Sequence, residues 1–161
     1  MKVLEIAPND GGSWTALGDI EVERGNLNKA MALFRQGEQV QPDLDEPHFH
    51  LGSLYEVKLN DDADAEAEYR SAIALNPFNL VAHFNLGNVL IRRRDYNQAI
   101  AQYAAALSVD PDNLAALFNL AQAYASIGDR DDAIEQANAA LKIDPTSQPL
   151  LQLLQRLGAP P

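Results

Sequence analysis

Five prolines recur at a nearly constant interval along this chain of 161 residues. The successive intervals are 34, 35, 34 and 34 residues, and the prolines are Pro8, Pro42, Pro77, Pro111 and Pro145. A period of this length indicates a repeat protein, in which each unit buries its apolar face against its neighbours. We therefore expect a row of similar units rather than one domain built around a central core.

Each unit contains two stretches in which apolar residues recur every three or four positions. In the third unit Leu86, Val89 and Leu90 mark the first stretch. Ile100 and Tyr103 mark the second stretch of the same unit. This spacing predicts two amphipathic helices per unit. Small residues recur where the helices would cross and would let two backbones approach closely. They are Gly18, Gly52, Gly87 and Ala121 in the first helix, and Ala30, Gly37, Ala65, Ala72, Ala99, Ala106, Ala133 and Ala140 in the second.

Short turn signals separate the two predicted helices of each unit. They are Gly25-Asn26, Asn60-Asp61, Arg94-Asp95 and Gly128-Asp129. Gly25 and Gly128 suit the left-handed position just past a helix end. The Asn or Asp that follows is expected to cap the second helix. The second unit is one residue longer than the others, and we place the extra residue in its inter-helix turn, between Leu59 and Asp64.

The first unit resembles the tetratricopeptide repeat in its pattern of Trp14, Leu17, Gly18, Ala30, Phe34 and Pro42. The resemblance implies an all-α fold, a right-handed α-solenoid of stacked helix-turn-helix repeats. We predict four repeats, over residues 11–44, 45–79, 80–113 and 114–147. A partial repeat or helix remnant is expected over 1–10. A capping helix is expected over 148–158, because Leu150, Leu153, Leu154 and Leu157 form an apolar stripe there.

Composition narrows the classes of partner. The net charge of −11 argues against nucleic acid, because phosphate binding needs a basic surface. The sequence contains no run of about 18 apolar residues, so we predict no direct membrane insertion. The first residues show no secretory signal pattern, and we expect a cytoplasmic location.

No group of residues has the spacing of a catalytic or metal site, so we predict no enzymatic activity, no cofactor and no metal. One acidic run lacks the central glycine of a calcium loop, and we interpret it as solvated residues at a helix start. Its members are Asp61, Asp62, Asp64, Glu66 and Glu68. His48 and His50 are two positions apart and would point away from each other on a helix. Together with His83 they are interpreted as core or boundary residues.

The resemblance also implies where a partner would bind. In tetratricopeptide arrays the first helix of each repeat lines a concave groove, which would take a protein or extended peptide. The residues so placed are Phe49, Phe84, Asn85, Asn88, Arg92, Phe118, Asn119 and Gln122. Phenylalanine supplies apolar area, and asparagine can pair with a peptide backbone of any sequence. Packing within the repeat stays an alternative for the phenylalanines. The inward places that form the carboxylate clamp for acidic chaperone tails hold no lysine or arginine here.

We therefore predict a scaffold or adaptor for protein–protein interaction. Two alternatives stay open. In one, Leu4 and Ile6 at an exposed N-terminal edge drive self-association, which would give a homo-oligomer. In the other, the chain is a regulatory segment of a larger enzyme.

Overall fold

The structure, a computed structural model, describes residues 9–159, and every regular element in this range is a helix. The α-helices are α1 Gly11–Glu23, α2 Leu27–Val40, α3 Glu46–Leu54, α4 Asp62–Leu75, α5 Leu80–Arg92, α6 Tyr96–Val109, α7 Leu114–Ile127, α8 Arg130–Ile143 and α9 Gln148–Arg156. A π-helical turn, Tyr55–Leu59, continues α3. The predicted helix remnant over 1–10, with Leu4 and Ile6, lies outside the described residues except for its last two positions.

The chain divides into two compact units, Met1–Ala82 and His83–Pro161. In the first unit α1 packs against α2 and α3, and α3 packs against α2 and α4. In the second unit α7 packs against α6 and α8, and α9 packs against α8. Helices that follow one another in the sequence are thus neighbours within each unit.

An aromatic ring from the second helix of a pair fills the space above a glycine of the first helix. The pairs are Gly18 with Phe34, Gly52 with Tyr69, and Gly87 with Tyr103. A Cβ placed on Gly87 would lie 2.5 Å from a ring carbon of Tyr103, well inside van der Waals contact. From their place in the sequence, these glycines were predicted to let two backbones approach closely. The structure shows instead that the missing side chain makes room for a ring.

The pair formed by α7 and α8 has neither the glycine nor the aromatic ring of this contact. Ala121 stands at the glycine position of α7 and Ala137 at the aromatic position of α8, and both are fully buried. Leu150, Leu153 and Leu154 of α9 are buried in the same apolar cluster. Leu150, Leu153 and Leu154 of the predicted stripe are thus buried, and Leu157 and the ring of Phe118 pack against the same cluster.

A residue in the left-handed conformation follows the first helix of each pair. The residues and their φ angles are Gly25 at 78°, Asn60 at 53°, Arg94 at 62° and Gly128 at 84°. The prediction for the two glycines is confirmed. Arg94 is the bulkiest of the four, and a side chain with a Cβ is disfavoured in this conformation.

Three of the four expected caps are present. The side chains of Asp61, Asp95 and Asp129 accept hydrogen bonds from backbone N–H groups in the first turn of α4, α6 and α8. The prediction for Asn26 is wrong. Its Nδ2 donates instead to Oε2 of Glu21, at 2.7 Å.

The extra residue of the second predicted repeat lies in a helix rather than in a loop. In the other three turns the backbone N–H after the left-handed residue donates to a carbonyl five residues earlier, as Asp95 does to Leu90. The N–H of Asp61 donates to the carbonyl of Tyr55, six residues earlier. The π-helical turn therefore holds the extra residue, and its predicted place between Leu59 and Asp64 is wrong. A wider helical turn keeps the backbone groups paired, which a longer loop would not.

The contact between Gly87 and Tyr103 predicts a specific coupling. We expect Gly87→Ala to destabilise the protein by about 1–3 kcal/mol, because the new Cβ must displace the ring. In a Tyr103→Ala background the same change should be neutral or stabilising, since alanine favours helix by about 1 kcal/mol over glycine. Urea unfolding of the four proteins in a double-mutant cycle measures the difference. An equal loss in both backgrounds would contradict this packing.

The left-handed residue Arg94 predicts a stabilising substitution. We expect Arg94→Gly to raise the free energy of unfolding by about 0.5–1 kcal/mol, because glycine adopts this φ without steric strain. Gly128→Ala is the matched opposite change and should lower it by a similar amount. Thermal unfolding followed by circular dichroism measures both. A variant Arg94→Gly that is less stable than the wild type would show that the arginine side chain outweighs the strain.

Candidate functional site

One cavity of the second unit brings together four of the predicted partner-binding residues. Its volume is about 300 Å³, and it opens between α5, α6 and α7. It is lined by Asn88, Ile91, Arg92, Tyr103, Asn119, Gln122 and Ser126. Three other predicted site residues belong to the same unit but do not line this cavity; they are Phe84, Asn85 and Phe118. Phe49 belongs to the first unit.

The helical pattern of the sequence turns these polar side chains to the surface. Asn88 and Arg92 are four positions apart on α5, so they lie on one face. Asn119 and Gln122 are three positions apart on α7. The interleaved apolar residues are buried on the other side of each helix; they are Leu86, Val89 and Leu90 on α5, and Leu117, Leu120 and Ala121 on α7. The amphipathic pattern that places apolar residues in the core therefore also places these polar residues along the cavity, where they form its polar wall.

Tyr103 holds the amide groups of the wall in a fixed arrangement. Its hydroxyl donates a hydrogen bond of 2.8 Å to Oδ1 of Asn88. Nδ2 of Asn119 donates to the same oxygen, at 2.9 Å. Because both bonds use Oδ1 of Asn88, its Nδ2 and the Oδ1 of Asn119 are left for a ligand, one as donor and one as acceptor.

Three residues of this cavity were not predicted. They are Tyr103, whose ring is buried in the core, Ile91 and Ser126. Ile91 directly precedes the predicted Arg92, and Ser126 lies one period of 34 residues after it. The repeat pattern could therefore have indicated both of these residues. The hydroxyl of Tyr103 gave no comparable signal, because it reaches the cavity from the second helix.

The predicted row of phenylalanines packs against the protein itself. The ring centroids of Phe49 and Tyr69 are 6.1 Å apart, and those of Phe84 and Tyr103 are 5.9 Å apart. Phe118 is half-buried against the apolar cluster that α7, α8 and α9 share. The alternative of packing within the repeat accounts for these contacts. A role for the exposed parts of these rings in binding stays a prediction.

A smaller cavity of about 90 Å³ occupies the corresponding places in the first unit. Its polar wall is different, because Asp19 and His50 replace the two asparagines. Oδ1 of Asp19 lies 2.7 Å from Nδ1 of His50. Burial raises the pKa of Asp19, and the hydrogen bond and charge of His50 offset part of that rise. The ring of His50 also packs on Phe34, with centroids 5.5 Å apart.

The acid Glu68 was interpreted as part of a solvated helix start, and this is wrong. Glu68 is 8% exposed, and its carboxylate is hydrogen-bonded to Arg35 and, at 2.7 Å, to Nδ1 of His48. Burial opposes the ionisation of Glu68, but these two partners outweigh it and lower its pKa. The hydrogen bond to Glu68 raises the pKa of His48 against the opposing effect of burial. Within residues 9–159 no group of three or more acids and histidines has the geometry to hold a metal ion.

The profile described as "Tetratricopeptide repeat" matches residues 50–101 and 84–147, and a second, described as "TPR repeat", matches residues 18–58. The chain belongs to the tetratricopeptide repeat family. The resemblance read from the sequence and the predicted all-α fold of this family are thereby confirmed.

Solved structures of the same fold cover most of the chain. The crystal structure of MamA is 26% identical, with a TM-score of 0.77, over 89% of this chain and 83% of that chain. The structure of YrrB, described as a TPR protein with an unusual peptide-binding site, is 24% identical, with a TM-score of 0.75, over 94% and 78%. PilF of Pseudomonas aeruginosa is 20% identical, with a TM-score of 0.75, over 91% and 68%. These similarities show the fold of the repeat array.

A curated relative is the mouse protein O-mannosyl-transferase TMTC3, which is 34% identical over 77 residues. The matched segment is 48% of this chain, and the chain spans only 8% of the length of that protein. Of the helices within residues 9–159, none is long and apolar enough to cross a membrane. The absence of enzymatic activity stays a prediction.

The contact between His48 and Glu68 predicts a pH-dependent stability. Because folding raises the pKa of His48, its contribution is present below the ordinary histidine pKa of about 6.5 and is lost as pH rises through the folded value. Glu68 contributes in the opposite sense, and its share is lost as pH falls through its lowered pKa. We expect His48→Gln to reduce the drop in melting temperature between about pH 6 and pH 8. Melting curves of wild type and variant across this range measure it. Parallel curves would contradict the assigned role of His48.

Proposed function

We propose that this tetratricopeptide repeat chain is a scaffold or adaptor that binds an extended segment of a partner protein along its first helices. The cavity lined by Asn88, Asn119 and Gln122 would be a principal contact site. The observation that carries the proposal is the pair of hydrogen bonds to Oδ1 of Asn88, because they hold two amide groups in a defined orientation at the surface.

A defined orientation lowers the entropy lost on binding. Amide side chains that are already fixed need not be ordered by the ligand, so more of each new hydrogen bond appears as affinity. An N–H donor and a carbonyl acceptor side by side match the groups of a peptide backbone. Ile91 is half-buried at the same cavity and offers apolar contact to a side chain of the segment. The wall therefore suits an extended peptide better than a compact polar metabolite.

The related structures support the proposal at the level of fold. YrrB is described as having a peptide-binding site, so an array of this fold is compatible with peptide binding. Its 24% identity carries no residue role to this chain. The relation to a much longer transferase leaves open the alternative of a segment that regulates an enzyme. Self-association through Leu4 and Ile6 also stays a hypothesis, because that edge lies outside the described residues.

A hydroxyl deletion tests the proposed site with a built-in control. Tyr103→Phe keeps the ring above Gly87 and removes the hydroxyl that donates to Asn88. Tyr69→Phe removes the equivalent hydroxyl in the first unit, which donates to Glu56. Partners captured from native lysate by the wild-type protein supply the binding segment for calorimetric titration. We expect Tyr103→Phe to weaken binding about two- to tenfold, and Tyr69→Phe to leave it unchanged.

A stronger change removes the amides themselves. The double variant Asn88→Leu with Asn119→Leu should weaken binding by about tenfold or more, because each lost polar contact costs about 1–3 kcal/mol. Circular dichroism must show an intact helical fold in each variant. Wild-type affinity in the double variant would place the binding site elsewhere on the protein.

A further inference from the structure

We propose that the binding site continues onto the last helix, α9, where a second cavity receives a carboxylate group of the extended partner segment. This inference rests on the proposed function and names the chemistry of the partner. It gives α9 a role in recognition besides its role in covering the apolar core.

The second cavity adjoins the first and shares part of its wall. Its volume is about 280 Å³, and it lies between α7 and α9 of the second unit. The lining residues are Gln122, Ala125, Ser126, Leu153, Arg156 and Leu157. Gln122 and Ser126 also line the first cavity, so the two cavities meet along one face of α7. A single ligand can therefore contact both.

The two cavities are built from the same places of the repeat, one period apart. Asn88, Gln122 and Arg156 follow one another at intervals of 34 residues. Ile91 and Ala125 are also 34 residues apart, as are Arg92 and Ser126. A ligand that is itself a linear chain of repeating units can contact equivalent places of successive repeats as it runs along the array. An extended peptide is such a chain, with side chains at regular intervals.

The charged residues that line the two cavities indicate which chemical group the peptide should carry. Among residues 9–159, Arg92 is the one charged residue that lines the first cavity, and Arg156 is the one that lines the second. Within the same range no carboxylate lines either cavity, although the full sequence has a net charge of −11. The cavity at the same places in the first unit is lined by an acid, Asp19, as well as by a base, Lys58, so its charges offset each other. Guanidinium groups bind carboxylates through paired hydrogen bonds, so a segment with an acidic group fits the second unit.

The capping function of α9 does not account for Arg156. Leu150, Leu153 and Leu154 are the residues of α9 that are buried against the core. Arg156 is exposed, and among residues 9–159 no acid forms an ion pair with it. A capping helix needs a polar outer face, which Gln152 and Gln155 already provide. Arg156 is instead directed to the cavity that it lines with Gln122.

A peptide library tests this inference on the full chain. The probe is a mixture of synthetic ten-residue peptides of random sequence, prepared with free and with amidated C termini, passed over immobilised protein. We expect the wild type to enrich peptides that carry Asp or Glu, or a free C-terminal carboxylate. Arg156→Gln should lower that enrichment about three- to tenfold. Lys142→Gln is the matched control, because it removes one exposed positive charge of the same unit that lines neither cavity.

The experiment distinguishes a side-chain carboxylate from a C-terminal one. It also distinguishes failure of this inference from failure of the proposed function. Equal enrichment of amidated acidic peptides identifies a side-chain carboxylate, whereas loss on amidation identifies the C terminus. Enrichment of peptides without regard to acids, or of basic peptides, overturns this inference and leaves the proposed groove. An equal loss in Lys142→Gln reduces the effect to net charge and also overturns it. Retention of no peptide at all contradicts both the inference and the proposed function.

Discussion

The rest of the structure depends on the contact between a ring of the second helix and a small residue of the first. The ring of Tyr103 sits where a Cβ on Gly87 would stand, and it is buried between the two helices. This contact sets which face of the first helix is turned inward, because the glycine must meet the ring. The adjoining face, which carries Asn88 and Arg92, thereby lines the surface cavity together with Tyr103. The same contact therefore determines both how the core packs and where the candidate site lies.

Much of the fold could be predicted from the sequence because its signals are local. The left-handed glycines and the aspartate caps each depend on a few neighbouring residues, and the 34-residue period repeats such local signals along the chain. The expected cap at Asn26 fails because a neighbouring side chain competes for its amide. Glu21 accepts hydrogen bonds from Asn26, Lys29 and Arg24, which draws Asn26 away from capping. Hydrogen bonds from Asn26 and Lys29 lower the pKa of Glu21 to about 2, against the effect of burial.

The candidate site was only partly predictable, because one of its hydrogen bonds crosses from one helix to another. The resemblance to the tetratricopeptide repeat implied that Asn88, Asn119 and Gln122 lie on one surface, and all three line one cavity. It gave no information on the hydroxyl of Tyr103, which crosses from the second helix to bond Asn88. Nor did it show that Phe84 packs on the same ring. Spacing predicts which side of a helix a residue faces, whereas side-chain hydrogen bonds depend on the distance between helices.

The same place in successive repeats has an equivalent backbone position but carries side chains of different chemistry. The ninth place of the successive repeats and of the capping helix holds Asp19, Ser53, Asn88, Gln122 and Arg156. In the first unit the acid at this place pairs with His50, and in the second the amide pairs with Asn119. Because the backbone frame at this place is set by the packing of the helix pair, a substitution there can change charge or hydrogen bonding without moving the helix. Variation at a single place of the repeat can therefore give each cavity its own ligand preference while the fold stays the same.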